Sequence, residues 1–196
     1  MSINQMAETK IIQEAKEYFL LTLEEMPKLL GDILSKHLQI MPKWTEKILT
    51  MYSEADPEIV GIAAWFHDIG YLDCENFSED DHAVYSERRV IDFLVDRSYP
   101  QDNLEKIAHC IRAHRCRDIQ PITLEAKIIA VADSASHLTD YAYINLIQLE
   151  SREYALQKLK RDYRDLGLLP EVKAELNQLY AAWLQLIACF PEWKIA

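Results

Sequence analysis

Ala63-Ala64-Trp65-Phe66-His67-Asp68-Ile69-Gly70 closes a segment that is apolar almost throughout and ends on a charge. Upstream, Asp56-Pro57-Glu58 has the form of a helix start: a capping side chain, a proline at the first helical position and an early acid. The helix it opens runs through Ile59, Ile62, Ala63 and Phe66 and stops at Gly70. A carboxylate beside Trp65 and Phe66 in the last turn is doubly unfavourable, because burial raises its energy and the negative end of the helix dipole repels it. A cation beside Asp68 resolves both problems. Adjacent helical residues point about 100° apart, so His67 and Asp68 reach one cation from two sides. The bland alternative is an Asp68 exposed to water at the helix end.

Outward from this segment every stretch between breakers carries the helical period, and none alternates as a half-buried strand does, so the expected fold is all-α. Helices are expected over about 5–25, 28–41, 43–52 (opened by Pro42), 57–69, from Ser78 to about Arg97, from a capping Asp102 to about Arg115, and 124–138. Two more follow, a long one over about 142–165 ending at Gly167 and a last from Pro170 to about Cys189. At one domain per ~150 residues, the 196-residue chain reads as a single domain, its core over about 28–140 and a C-terminal helical hairpin laid on it. Such a chain buries roughly 70% of its unfolded surface and needs no disulfide or structural metal. Any metal is then present for chemistry.

Composition removes several functions. The four glycines, 31, 61, 70 and 167, are about 2% of the chain where ~7% is usual, and none lie close together. This excludes the dinucleotide fingerprint and the phosphate-binding loop. With 21 basic and 32 acidic residues the net charge is -11, which disfavours non-specific nucleic-acid binding but leaves room for a local cationic site holding a small phosphorylated substrate. Cys74, Cys110, Cys116 and Cys189 form no C-x-x-C pair and read as free thiols. No signal-like segment follows the first ten residues and no apolar run approaches membrane length, so a cytoplasmic protein without membrane partners is expected.

Asp133 is a second misplaced carboxylate. With Ala126 and Ile129 at i−7 and i−4 it lies on the small, apolar face of its helix, where it must be ligated, paired with an arginine or protonated. His37 shares a stripe with Leu30, Ile33 and Leu34 and points inward; on its own it reads more readily as a core histidine than as a ligand. His114 shares a stripe with Ile107 and Ile111, whereas His109 lies about 160° from it. His82 lines up with Ser86, Val90 and Phe93 on the core side, and His137 suits a supporting or a surface role equally.

His37, His67-Asp68 and Asp133, in this order in an all-helical chain, resemble the H…HD…D signature of the HD-domain superfamily of metal-dependent phosphohydrolases, and His67-Asp68-Ile69-Gly70 is its HDIG variant. His82 in His-x-x-x-Ser form, Ile111-x-x-His114 and the run Glu125-Ala126-Lys127-Ile128 leading to Asp133 are similar too. The resemblance covers about residues 30–138. It implies one divalent cation held by His37, His67, Asp68 and Asp133, with Mn, Fe, Co, Ni, Zn or Mg not distinguished by the ligand set. It further implies a catalytic Asp68, with His82 and His114 contacting phosphate or the leaving oxygen. Arg115 and Arg117, beside His114, are candidates to clamp the phosphate of a nucleotide-like substrate. Where some nucleotide-hydrolysing members carry an acid four residues after the motif histidine, this chain has Tyr71, with Asp73 the nearest acid. That argues against the alarmone-hydrolase and deoxynucleotide-monophosphatase subtypes.

Two other functions fit the same residues. In a di-iron oxygenase of the HD type, His82 and either His109 or His114 would hold a second iron. In a non-catalytic helical binding module, Trp183, Trp193 and the amphipathic helices after 142 would form a partner surface, a homodimer interface included.

Overall fold

The computed structural model describes residues 9–75 and 81–191, and all of their regular structure is helical. The α helices are α1 (Lys10–Glu25), α2 (Lys28–Met51), α3 (Pro57–Phe66), α4 (His82–Val95), α5 (Gln101–Ala113), α6 (Leu124–Thr139), α7 (Ala142–Leu149), α8 (Arg152–Asp165) and α9 (Pro170–Cys189). Short 3-10 turns follow α3 (Ile69–Asp73) and α8 (Leu166–Leu168). The expected starts at Ser78 and before Lys10, and the residue Trp193, lie wholly or partly outside the described residues.

α3 is buried on nearly every side, as an all-round apolar helix must be, and packs among α1, α2, α5 and α6. Its start is the one read from the sequence: the Asp56 side chain accepts from the Glu58 and Ile59 amides, with Pro57 at the first position. Thr123 caps α6 by accepting from the Ala126 amide. α6 runs beside α2 and also touches α5, α8 and α9, so it is the spine on which both ends of the chain meet. Among the described residues, no helix is long and apolar enough to cross a membrane.

Three boundaries differ from expectation. α2 continues through Pro42 instead of breaking there. Proline removes one amide donor, but the stripe Leu34, Leu38, Met41, Trp44 and Ile48 is buried along the whole length, and this burial outweighs the lost bond. The segment 142–165 is two helices, parted at Glu150–Ser151, because the extended Ser151 turns its hydroxyl to cap α8 at the Tyr154 amide. Asp102 lies in the first turn of α5 and does not cap it; Pro100 occupies the capping position. The C-terminal part is therefore α7 plus the α8–α9 pair. α9 returns to α6, where the buried Trp183 indole donates to the Leu138 carbonyl at 2.7 Å and meets the Tyr143 ring edge-on. Trp183 is thus spent inside the chain and offers no surface to a partner.

Candidate metal centre

Five elements bring their polar residues to one place. His37 comes from the middle of α2, His67 and Asp68 from the end of α3, His82 from the first turn of α4, His114 from the end of α5, and Asp133 from α6; all six side chains are buried. Gly70 lets α4 approach. A Cβ there would meet the His82 carbonyl at 2.2 Å and the Ser86 amide at 2.4 Å, and the Gly70 amide instead donates to the Ser86 hydroxyl at 2.8 Å. Asp73 is bound by Arg89 at 2.5 and 2.8 Å and takes no part in the site. Tyr71 lies under the His82 ring, with centroids 3.9 Å apart.

The donor atoms form two groups that share Asp68. In the first, His37 Nε2 is 3.1 Å from His67 Nε2 and 3.4 Å from Asp133 Oδ1, and Asp68 Oδ2 lies 3.4 Å from His67 Nε2. In the second, Asp68 Oδ1 is 3.0 Å from His82 Nε2 and 3.6 Å from His114 Nε2, and the two imidazoles are 3.2 Å apart. Each carboxylate oxygen of Asp68 therefore faces one group.

Hydrogen bonds on the far side fix the direction of the rings. His67 Nδ1 donates to the Ala64 carbonyl at 2.8 Å and His114 Nδ1 to the Ile111 carbonyl at 2.6 Å. The Ser136 hydroxyl donates to the Asp133 carbonyl at 2.7 Å, so it accepts from His37 Nδ1 at 3.0 Å. With Nδ1 so used, each of these imidazoles, when unprotonated, turns a bare Nε2 lone pair into the site. Two such lone pairs 3.1 Å apart repel unless a cation stands before them. Asp133 Oδ1 is buried without any hydrogen-bond partner, a cost that a cation also removes. The imidazole and carboxylate donors suit a divalent transition metal, and no arginine pairs with Asp133 among the described residues; His37, His67 and His137 surround its Oδ1 at 3.4–3.8 Å. Burial opposes a charge on His37, yet the carboxylates of Asp140, Asp133 and Asp68 raise its pKa, so protons compete for this position. Burial and the neighbouring His82 and His67 push His114 well down, which keeps it neutral. Burial opposes ionisation of Asp68 too, but His67, His82 and His37 hold its carboxyl well below the usual range.

The donors open into a pocket of about 140 Å³ whose far wall is cationic: Arg115, Arg117, Lys158 and Arg161. Arg115 is tied to Asp81 at 2.5 Å, whereas Arg117 and Arg161 make no ion pair among the described residues. Cys116, between the two arginines of the loop, has φ 51°, the left-handed conformation, and so turns the chain sharply between them. Burial and the charges of Arg115 and Arg161 lower the Arg117 pKa, the mark of crowded cations. Lys158 and Arg161 belong to α8 and carry no motif; only their i, i+3 spacing in a helix of mixed charge was visible. Lys158 donates to Asp162 at 2.6 Å and to His137 Nδ1 at 3.0 Å, and His137 Nε2 stands 3.5 Å from Asp133 Oδ1. His137 is thus a supporting residue. His109 contacts the Ile122 amide, away from the donors, so His114 is the one of the pair that joins the centre.

Residues 29–137, more than half of the chain, match the family model of the HD domain, and the chain belongs to the HD domain family. The family consists largely of metal-dependent phosphohydrolases and binds divalent metals. Compared with curated proteins and with solved structures, the chain finds no match.

Proposed function

We propose that this chain is a metal-dependent phosphohydrolase that cleaves a phosphate ester of a nucleotide or similar small phosphorylated metabolite at a centre able to take two ions. The observation that carries this reading is the pairing of two donor groups, joined by Asp68, with a wall of four cations across a small pocket, two of which, Arg117 and Arg161, make no ion pair among the described residues. When bound, a divalent metal polarises a phosphoryl oxygen and acidifies water at this position. Arg117 and Arg161 bind and orient the anion, and Arg115 is held in reserve by Asp81. Because Lys158 occupies His137 Nδ1, the neutral His137 keeps its proton on Nε2, which faces the pocket and donates to an oxygen there. Burial and the Lys158 charge hold the His137 pKa well down and so keep it in this neutral form. In this reading His82 and His114 serve the second donor group with Asp68, in place of the direct phosphate contacts that the resemblance implies. The proposal extends the expected single ion to two, on the ground that Asp68 offers an oxygen to each group.

The test is elemental analysis of the purified chain beside a His67→Ala, Asp68→Ala variant, followed by a phosphate-ester screen with the metal found. About two divalent ions per chain, lost in the variant, with hydrolysis of at least one ester, is the expected result. A metal-loaded chain that cleaves no phosphate ester overturns the proposal. The second donor group also suits a di-iron oxygenase; two irons with dioxygen consumption would select that function, and a chain that takes up no metal would select the binding module.

A further inference from the structure

A second cavity, of about 330 Å³, opens from the same donors beside the first. Its inner end is formed by His37, Asp68 and His137, and Tyr71, Tyr154 and Lys158 are common to both pockets. Its walls differ in kind from the cationic side: Leu30, Ile33 and Leu34 from α2 face Tyr141, Leu146 and Leu149 from α7. Tyr141 is 63% exposed and Leu149 47% exposed, so this cavity leaves apolar surface in water. The volume falls in the ~300–1,000 Å³ range of small-molecule sites, and apolar walls with few polar groups are their usual composition. Asn145, in the same lining, supplies one amide for a polar edge.

From this we propose that the cavity between α2 and α7 holds the organic group of the substrate, and that this group is an apolar or aromatic ring system. The substrate is then a phosphate ester of a ring-bearing alcohol, a nucleoside with its base in the cavity among them, its phosphate held between the donors and Arg117 and Arg161. The inference rests on the phosphohydrolase reading and names its substrate class. A sugar or glycerol phosphate would leave hydroxyls without partners against leucine and isoleucine. A polyphosphate extending here would meet Lys36 and Lys158 but also Asp140 and Glu150, which carry its own sign of charge, and no arginine in the lining. α7 lies beyond residues 29–137, so this specificity is the chain's own addition to the family core.

The experiment compares binding of 1-naphthylmethylphosphonate and methylphosphonate, whose P–C bonds an esterase does not cleave, by calorimetry on the purified full chain with Mn²⁺. The naphthyl compound is expected to bind at least about tenfold more tightly, and the preference to shrink to within about twofold in Tyr141→Ala and Leu149→Glu. Both positions are exposed, so circular dichroism and metal content are expected to stay as in the parent chain. Equal binding of the two phosphonates by the parent chain, or an undiminished preference in both variants, overturns the inference. Hydrolysis is scored separately on 1-naphthyl phosphate and glycerol 3-phosphate: if the preference holds and neither ester is cleaved, the phosphohydrolase reading fails and the ring-binding cavity stands.

Discussion

The two walls of the cleft are built on different principles. The donor wall, from α2, α3, α4, α5 and α6, is over-determined: His67 and His114 are each anchored to the carbonyl three residues back, His37 is held through Ser136, and Gly70 admits α4 at backbone contact. The facing wall, from the loop between α5 and α6 and from α7 and α8 with their flanks, leaves Arg117 and Arg161 without an ion pair among the described residues and Tyr141 and Leu149 in water. One wall is complete once cations arrive, and the other needs a ligand. Chemistry is therefore invested in rigid, locally specified residues, and recognition in residues that only tertiary packing brings near.

The sharpest way to break this comparison is at the residue both donor groups share. Asp68→Ala is expected to empty both groups and to lower activity by more than the roughly 10²–10³-fold that one lost electrostatic contact costs. His114→Ala, which touches one group only, is expected to leave about one ion per chain. Equal metal loss in the two variants would mean that Asp68 does not link the groups. Next in size is Gly70→Ala. The new Cβ meets two backbone atoms of α4 as well as the Ser86 hydroxyl, so α4 must move, at a cost of about 1–3 kcal/mol. Thermal unfolding is expected to fall accordingly, and the ion at Asp68, His82 and His114 to be lost before the ion at His37, His67, Asp68 and Asp133. Retention of both ions at full stability would show that the approach of α4 is not what sets His82 against Asp68.

Local rules made the misplaced carboxylates at 68 and 133 and the inward histidines at 37, 82 and 114 legible in the sequence, whereas their joining into one ligand set came from the family resemblance, since His37 alone reads as a core residue. The choice between His109 and His114 followed from helical phase alone. The facing wall was not legible. Lys158 and Arg161 sit in a helix rich in both charges, where a lysine reads as solvated, and nothing local says that α8 folds back onto α6. Local rules also misplaced two boundaries, since burial along α2 overrides Pro42 and the single hydroxyl of Ser151 divides α7 from α8. Arg115, equal to Arg117 in sequence, differs from it in the structure only because Asp81 lies within reach.

That difference supplies a milder test of the recognition wall. Arg117→Ala or Arg161→Ala is expected to raise KM for the ester by about 10–100-fold, the loss of one charge-assisted contact of about 1.5–3 kcal/mol, with metal content unchanged. Arg115→Ala is expected to raise it less and to lower stability slightly, since its partner is Asp81. Steady-state kinetics beside metal analysis distinguishes them. The same rise for all three would mean that Arg115 exchanges Asp81 for substrate.

The smallest effect lies behind the pocket, where Asp162 is buried against Lys158, Tyr143 and His137. Burial pushes its carboxyl up to about 6, against the lowering effect of the Lys158 ammonium and the Tyr143 hydroxyl. Burial opposes the Lys158 charge, but Asp162 and Asp133 raise its pKa, so Lys158 remains a cation across this range. A folded pKa above the ordinary 3.8 means that stability from this group is full below about pH 4 and is lost as pH rises through about 6. Asp162→Asn keeps the shape of the neutral carboxyl and removes that titration. The variant is therefore expected to be less stable than the parent at pH 4, with the gap narrowing by roughly 1–3 kcal/mol by pH 7 in urea unfolding. A gap that widens instead would mean that Lys158 keeps Asp162 ionised throughout. The facing wall would then be a fixed ion pair, as over-determined as the donors opposite.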